Sequence, residues 1–267
     1  MADISPEDGP ATGKALLKLE NITKTFAGDI VALKGMSVTV NEGDFMSLLG
    51  PSGCGKSTAL RLIAGLSGPT QGRITWAAQE PTDKSKHLAD LGFVFQEPTL
   101  APWSTVFDNV FLPLRLKGQN RDQARAPVTE ALELVGLTGF EKAYPRELSG
   151  GMKMRVSIAR AMVTRPRLLL MDEPFAALDE ITRFKLNNDL LQMQKQLNCT
   201  VIFVTHSVFE SVFLSNRIVV MAARPGRVHT ELTLDEPYPR SEDYRTSSNY
   251  AAQCRAASDA LTAAMEA

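Results

Sequence analysis

Phe45-Met46-Ser47-Leu48-Leu49-Gly50-Pro51-Ser52-Gly53-Cys54-Gly55-Lys56-Ser57-Thr58-Ala59-Leu60 is the stretch that decides the fold. An apolar strand runs straight into a glycine-rich turn, and helical character begins near Lys56. Strand, loop and helix in that order form the unit from which nucleotide-binding α/β sheets are built. Within it, Gly50 through Ser57 match the pattern G-x-x-x-x-G-K-[ST] in full. The glycines let backbone N–H groups turn toward phosphate oxygens, and the helix start adds the positive end of its dipole. Lys56 can then reach the β and γ phosphates, and Ser57 can ligate Mg²⁺. Gly50, Pro51, Ser52, Gly53, Cys54, Gly55, Lys56, Ser57 and Thr58 are therefore candidate nucleotide-binding residues.

Working outward, short apolar or alternating runs at residues 16–20 and 36–40 precede this unit, and others follow at 91–95, 168–171, 201–205 and 217–221. They predict an α/β fold with a mainly parallel sheet covered by helices. Between 91 and 168 the texture changes to helical periodicity, at Val128, Ala131, Leu132 and Val135 and again at Met152, Val156, Ala159 and Val163. A helical lobe over about residues 97–165 is expected, with Pro127 opening its first helix, because a first turn does not need that N–H. Residues 1–14 read as a frayed leader. Past Pro237 and Pro239, the residues Tyr250, Cys254, Ala257, Leu261 and Met265 fall on one helical face. The expected organisation is a core domain over 16–230, with the lobe inserted in it, and a tail over 231–267 carrying one helix.

Composition narrows the function. The chain has 267 residues, 44% of them apolar and 22% charged, with a formal net charge of -1. Such a chain folds as a globular domain and offers no electrostatic case for nucleic acid. Its longest apolar runs, such as Val201-Ile202-Phe203-Val204, fall far short of the roughly 20 residues of a membrane helix. The polar, acidic start lacks the pattern of a signal peptide, which predicts a cytoplasmic location. Cys54, Cys199 and Cys254 are an odd number without CxxC spacing, so reduced thiols are expected.

A second apolar strand, Leu168-Leu169-Leu170-Met171, ends in Asp172 and Glu173. A sheet edge would deliver these acids to a nucleotide bound on the loop. Asp172 is expected to hold Mg²⁺ through water, and Glu173 to polarise an attacking water, as phosphoryl transfer requires. Leu148-Ser149-Gly150-Gly151-Met152, continuing to Arg160-Ala161, adds a helix start capped by Ser149, a second phosphate-binding end on the same chain. One nucleotide cannot easily use both ends.

These three motifs together resemble those of ABC ATPases, the second helix start being similar to that family's signature motif. Met152 stands where the family usually has Gln. The resemblance covers roughly residues 16–230 and implies a P-loop NTPase core with a small antiparallel β region. It also implies a head-to-tail homodimer in which the loop of one chain and the Ser149-Gly150-Gly151 signature of the other sandwich each ATP. By the same resemblance Gln96 matches the glutamine loop, His206 the switch histidine that contacts the γ phosphate, and Ala177-Leu178-Asp179 the loop where protomers touch. Phe26 sits where the family stacks an aromatic ring on adenine, although a lone Phe beside a strand is as often core.

A single cassette without a membrane span or long heptad insertion resembles a separate importer subunit. The stretches Phe93-Val94-Phe95-Gln96-Glu97-Pro98-Thr99-Leu100-Ala101-Pro102-Trp103, Asp108-Asn109-Val110 and Arg224-Pro225-Gly226-Arg227 resemble the nitrate, sulfonate and taurine branch, which includes importers of thiamine pyrimidine precursors. The implied partners are two membrane-spanning permease subunits and, indirectly, an extracytoplasmic solute-binding protein, with the chain on the cytoplasmic face of the membrane. Trp103 and Phe107 would line a groove for a short helix of the membrane subunit, or Trp103 would be ordinary core of the lobe. Two rival readings remain: a soluble ABC ATPase acting on translation or DNA, and a regulatory module that only binds nucleotide. The first usually carries a second cassette or a basic or coiled-coil insertion; the second would be expected to lack Glu173 or His206.

Overall fold

A strand with apolar residues at both odd and even positions must be covered on both faces, because successive side chains alternate between them. In the strand Phe45–Leu49, Phe45 and Leu49 join one hydrophobic cluster while Met46 and Leu48 join another. The strand Leu168–Asp172 divides in the same way, with Leu169 and Met171 on one side and Leu168 and Leu170 on the other. The computed structural model, which describes residues 13–76 and 90–267, places both in the middle of a covered sheet.

The N-terminal half begins with β1 (Ala15–Phe26), β2 (Ile30–Asn41), β3 (Phe45–Leu49), α1 (Lys56–Ile63) and β4 (Gln71–Trp76). Next come β5 (Leu91–Val94) and the helices α2 (Val106–Leu116), α3 (Arg121–Leu134) and α4 (Gly150–Met162). The remainder is β6 (Leu168–Asp172), α5 (Glu180–Leu197), β7 (Thr200–Thr205), α6 (Val208–Leu214), β8 (Arg217–Ala222), β9 (Arg227–Thr233) and α7 (Ser248–Glu266). The large sheet runs β5-β6-β7-β3-β8-β9, parallel except for β9, and a second, antiparallel sheet runs β2-β1-β4. Residues of α1 and the antiparallel sheet bury one face of the large sheet, and residues of α2 through α7 bury the other. The α/β class and the small antiparallel region are as expected.

Long-range polar ties fix β3 at the centre. Gly43 N–H donates to Thr200 Oγ1, 157 residues on, and the hydroxyls of Ser47 and Ser215 share a 2.5 Å hydrogen bond in the core. The nearly buried Arg217 guanidinium donates to Asp44 Oδ2 at 2.6 Å and to Thr39 O at 2.9 Å, joining β8 to β2 and to the start of β3.

Several elements differ from expectation. Pro127 does not open a helix: it lies inside α3, whose start is Asn120, capped reciprocally with Gln123. The capping box supplies the partners that the first turn needs, and it outweighs the proline signal. Strand β4 and helices α2, α5 and α6 were not expected as separate elements, and β1 and β2 run to Phe26 and Asn41. On α7 the buried residues are Tyr250, Cys254, Ala257 and Ala264, whereas Met265 is exposed, because the buried face continues through Ala264 and the next residue points about 100° away from it. Tyr238 packs its ring 6.4 Å from that of Phe45, so the proline-flanked segment lies on the core. All but the last two residues of the expected leader lie outside the described residues. Among those described, no helix is long and apolar enough to cross a membrane.

Candidate active site

The parallel register brings the ends of four strands to one edge. Leu49 at the end of β3 pairs with Thr205 of β7, Asp172 of β6 pairs with Val204, and Val94 of β5 pairs with Met171. Gly50, Glu173, His206 and Gln96 therefore leave the sheet within a residue or two of the same level. This is the carboxyl edge of an open α/β sheet, and the strand order changes direction at β3, where such sheets bind ligands.

The loop after β3 is held closely from outside. Gly55 has φ 90°, and a Cβ there would stand 2.7 Å from Leu33 Cδ2 and 2.8 Å from Ala32 O. Gly226 presses on the loop from the β8-β9 connection: its N–H donates to Ala32 O, its carbonyl accepts from Lys34 N–H, and a Cβ would meet Cys54 O at 2.1 Å. The antiparallel sheet and the β8-β9 turn thus form a mould around residues 50–57. Cys54 is buried within the loop, and burial pushes its thiol up.

Lys56 is buried and engaged. Its Nζ donates to Gly50 O at 2.7 Å and to Pro51 O at 3.0 Å, and lies 3.8 Å from Glu173 Oε1. The same ammonium that organises the loop carbonyls faces the acidic end of β6. Ser57 Oγ donates to Asp172 Oδ1 at 2.8 Å, and burial raises the Asp172 carboxyl although this hydrogen bond opposes it. A hydroxyl and a carboxylate side by side make an all-oxygen pair, the donor chemistry that suits Mg²⁺ with substrate phosphates and waters completing its shell.

Glu173 leaves β6 with φ 45°, a left-handed conformation that costs a non-glycine residue about 1–2 kcal/mol. Its N–H donates to Val204 O at 3.0 Å, which holds the turn. The Glu173 carboxylate reaches His206, with Oε2 3.3 Å from Nδ1. His206 is supported from below: Thr205 Oγ1 accepts from Ser207 N–H and donates to buried Glu210 at 2.5 Å, while Arg183 stands 3.6 Å from Glu210. Burial raises the Glu210 carboxyl. Thr205, Glu210 and Arg183 were not singled out in the sequence, where an acidic residue in a short helix carries no distinguishing signal.

Gln96 is exposed, two residues beyond Val94 as Glu173 is two beyond Met171, so the strand register sets them level on neighbouring strands. Buried Asn109 shapes the loop that follows, bonding Ala101, Ser104 and Thr105, and leaves Trp103 80% exposed. Trp103 is therefore not core of the lobe, whereas Phe107 is, buried beneath the Arg121 guanidinium. Arg160 of α4 donates to Pro98 O and Thr99 O, both at 2.9 Å, and so ties the Gln96 loop to the signature helix. An arginine amid the buried Ile158, Ala159, Ala161 and Met162 was the legible signal for this contact.

Ser149, Gly150 and Gly151 stand apart from this cluster. Ser149 Oγ accepts from Met152 N–H at 3.3 Å and caps α4. The glycines look toward α5: a Cβ on Gly151 would meet Thr182 Cγ2 at 2.9 Å, and one on Gly150 would lie 3.9 Å from Leu178. Asp179 caps α5 by accepting from Thr182 N–H at 2.9 Å, a bond that lowers its carboxyl. The signature and the Leu178-Asp179 loop are thus neighbours within one chain. Phe26, across from Ile30 at the end of the β1-β2 hairpin, is 45% exposed with Lys24 Nζ 5.2 Å over its ring, so it is a surface aromatic rather than core.

Comparison with known proteins agrees with this geometry. The family described as ABC transporter matches residues 33–176. An uncharacterized ABC transporter ATP-binding protein of Methanocaldococcus jannaschii is 47% identical over 230 residues, 85% of each chain. The aliphatic sulfonates import ATP-binding protein of a Bacillus cereus strain is 44% identical over 229 residues, 85% of this chain and 89% of that one. Among solved structures, a dimeric ATP-binding cassette in a post-hydrolysis state with ADP and Pi superposes with a TM-score of 0.72 at 34% identity, covering 83% of this chain and all of that one.

Proposed function

The chain belongs to the ABC transporter family as one of its ATP-binding proteins, and from that premise we propose that it hydrolyses ATP as the energising subunit of an importer. The observation that carries the reading is the meeting of Lys56, Ser57, Asp172, Glu173 and His206 at one sheet edge.

Each residue then has a task set by its geometry. Backbone N–H groups of residues 52–58 and the Lys56 ammonium bind the phosphates of ATP, and the ring of Phe26 stacks on adenine. Ser57 and Asp172, with Gln96 nearby, would hold Mg²⁺, which supplies neutralisation of phosphate charge when bound. Glu173 orients a water in line with the γ phosphorus and accepts its proton. The new P–O bond forms as the bond to the β-phosphate oxygen breaks, giving ADP and phosphate. His206, held by Glu173 and by the Thr205 support, donates to the γ-phosphate oxygens. Ser149, Gly150 and Gly151 complete the site of a second copy across a head-to-tail homodimer, with Asp179 at the contact.

Trp103 projects from the Gln96 loop on the surface where two permease subunits would dock, and the complex would sit on the cytoplasmic face of the membrane. An extracytoplasmic binding protein would deliver a small solute of the nitrate, sulfonate or taurine type, or a thiamine pyrimidine precursor. The test is purification of tagged Glu173→Gln chain from solubilised membranes with ATP and Mg²⁺, alongside turnover assays. Turnover should fall about 10²- to 10⁴-fold with ATP binding retained, and a multi-span protein should copurify. Recovery only as a soluble dimer, or with ribosomes or DNA, would overturn the transport reading and leave the ATPase reading standing.

A further inference from the structure

We infer that the C-terminal tail is a positioning element for His206, acting through helix α6 by way of Tyr250 and Arg240. The inference rests on the ATPase reading of the site.

Helix α6 spans seven residues directly after His206 and Ser207. So short a helix has little stability of its own, and its placement is set by what grips it. The tail grips it at both ends. Tyr250 of α7 donates its hydroxyl to Phe209 O at 3.0 Å, in the first turn. Arg240 donates through Nη1 to Phe213 O at 3.1 Å and Ser215 O at 2.5 Å, at the last turn, where helix carbonyls lack partners and a cation is favoured. Arg245 adds its guanidinium 3.3 Å over the Phe213 ring and ties back to Asn188 of α5.

From α6 the path to the histidine is short. Glu210, in the first turn, accepts from Thr205 Oγ1, and that same oxygen accepts from Ser207 N–H. A shift of α6 therefore moves both residues that flank His206, whose Nδ1 must stay near Glu173 Oε2.

Plain anchoring of a chain end would not call for this chemistry. Arg240 is 4% exposed, with no hydrogen-bond partner for Nε or Nη2 among the described residues, and lies against the rings of Tyr238 and Tyr244. Apolar packing of similar volume usually stabilises as well as or better than a buried charge. What the guanidinium gives and an apolar side chain cannot is a directed bond to the α6 carbonyls.

The test measures ATP turnover and ATP affinity of the full chain carrying Tyr250→Phe, Arg240→Met or Arg240→Lys, and of Tyr250→Phe combined with His206→Ala. Tyr250→Phe deletes one hydroxyl from an otherwise unchanged ring, so it keeps the proposal testable should Arg240→Met fold poorly. Loss of one such bond should lower kcat about 3- to 10-fold, with KM for ATP within about twofold and ATP binding unchanged. Arg240→Lys should recover part of the activity that Arg240→Met loses. In the His206→Ala background, Tyr250→Phe should add almost nothing, because residues acting through one another are not additive. Equal fold losses in both backgrounds, or wild-type kcat in Tyr250→Phe, would overturn the proposal. A wild-type chain that does not turn over ATP would overturn the ATPase reading itself, and this inference with it.

Discussion

Gly226→Ala is the sharpest single perturbation of the nucleotide loop that leaves every loop residue in place. The added methyl would stand 2.1 Å from Cys54 O and 2.6 Å from Ala32 O, both backbone atoms. Real Cβ atoms essentially never come within 3.0 Å of another heavy atom, so the Cys54 carbonyl must retreat by about 1 Å or the β8-β9 turn must. The turn is pinned by Gly226 N–H on Ala32 O at 3.1 Å and by Lys34 N–H on Gly226 O at 2.8 Å, so backing away breaks bonds on both sides. Overpacking of this kind costs about 1–3 kcal/mol, or about 2–10 °C in thermal midpoint for a chain of this size. Because Cys54 lies inside the phosphate loop, a displacement of about 1 Å should also reach the chemistry, where such misplacement costs up to about 10²-fold. We expect ATP turnover to fall at least tenfold and the midpoint to drop, read by phosphate release and by thermal unfolding. A Gly226→Ala chain with wild-type turnover and midpoint would show that the turn does not mould the loop.

Three further outcomes follow from the same contacts. Lys56→Ala, which removes the cation bound to the Gly50 and Pro51 carbonyls, should weaken ATP binding about 10- to 100-fold; equilibrium titration with a fluorescent ATP analogue would contradict this if the affinity held. Arg217→Ala strands the buried Asp44 carboxylate and should destabilise the fold by about 3 kcal/mol while sparing nucleotide contacts, so a urea midpoint unchanged from wild type would count against the pair. Trp103→Ala should leave the ATPase activity of the isolated chain intact and reduce recovery of the membrane partner; full recovery would remove the exposed ring from the docking surface.

The parallel sheet was legible because its strands are mostly apolar runs, and the loop because its residue types serve phosphate binding at fixed spacing. Helices α2 and α5 were less legible, since their starts, Thr105 and Asp179, are single capping residues in stretches read first for partner contacts. Pro127 misled because a proline signal is local, whereas the capping box that opens at Asn120 sets where the helix begins. Arg224-Pro225-Gly226-Arg227 stood out as a marker of resemblance, but its pressing on Cys54 could not be read, because that contact joins residues far apart in the chain. The same holds for Tyr250 and Arg240, whose partners are backbone carbonyls and leave no trace in side-chain pattern.

The position of β3 between β7 and β8 has a consequence for how the protein is made. The phosphate loop leaves the ribosome well before β7 does, and the strand beneath it finds its neighbours only after residues such as Thr200, 157 positions beyond Gly43, have emerged. At about 5–20 residues per second of synthesis, the motif waits roughly 8–30 s as an apolar segment without a sheet. A truncated transcript ending before β7 would therefore yield a chain that carries every loop residue and binds no nucleotide, and in the cell that interval is when chaperones have most to cover.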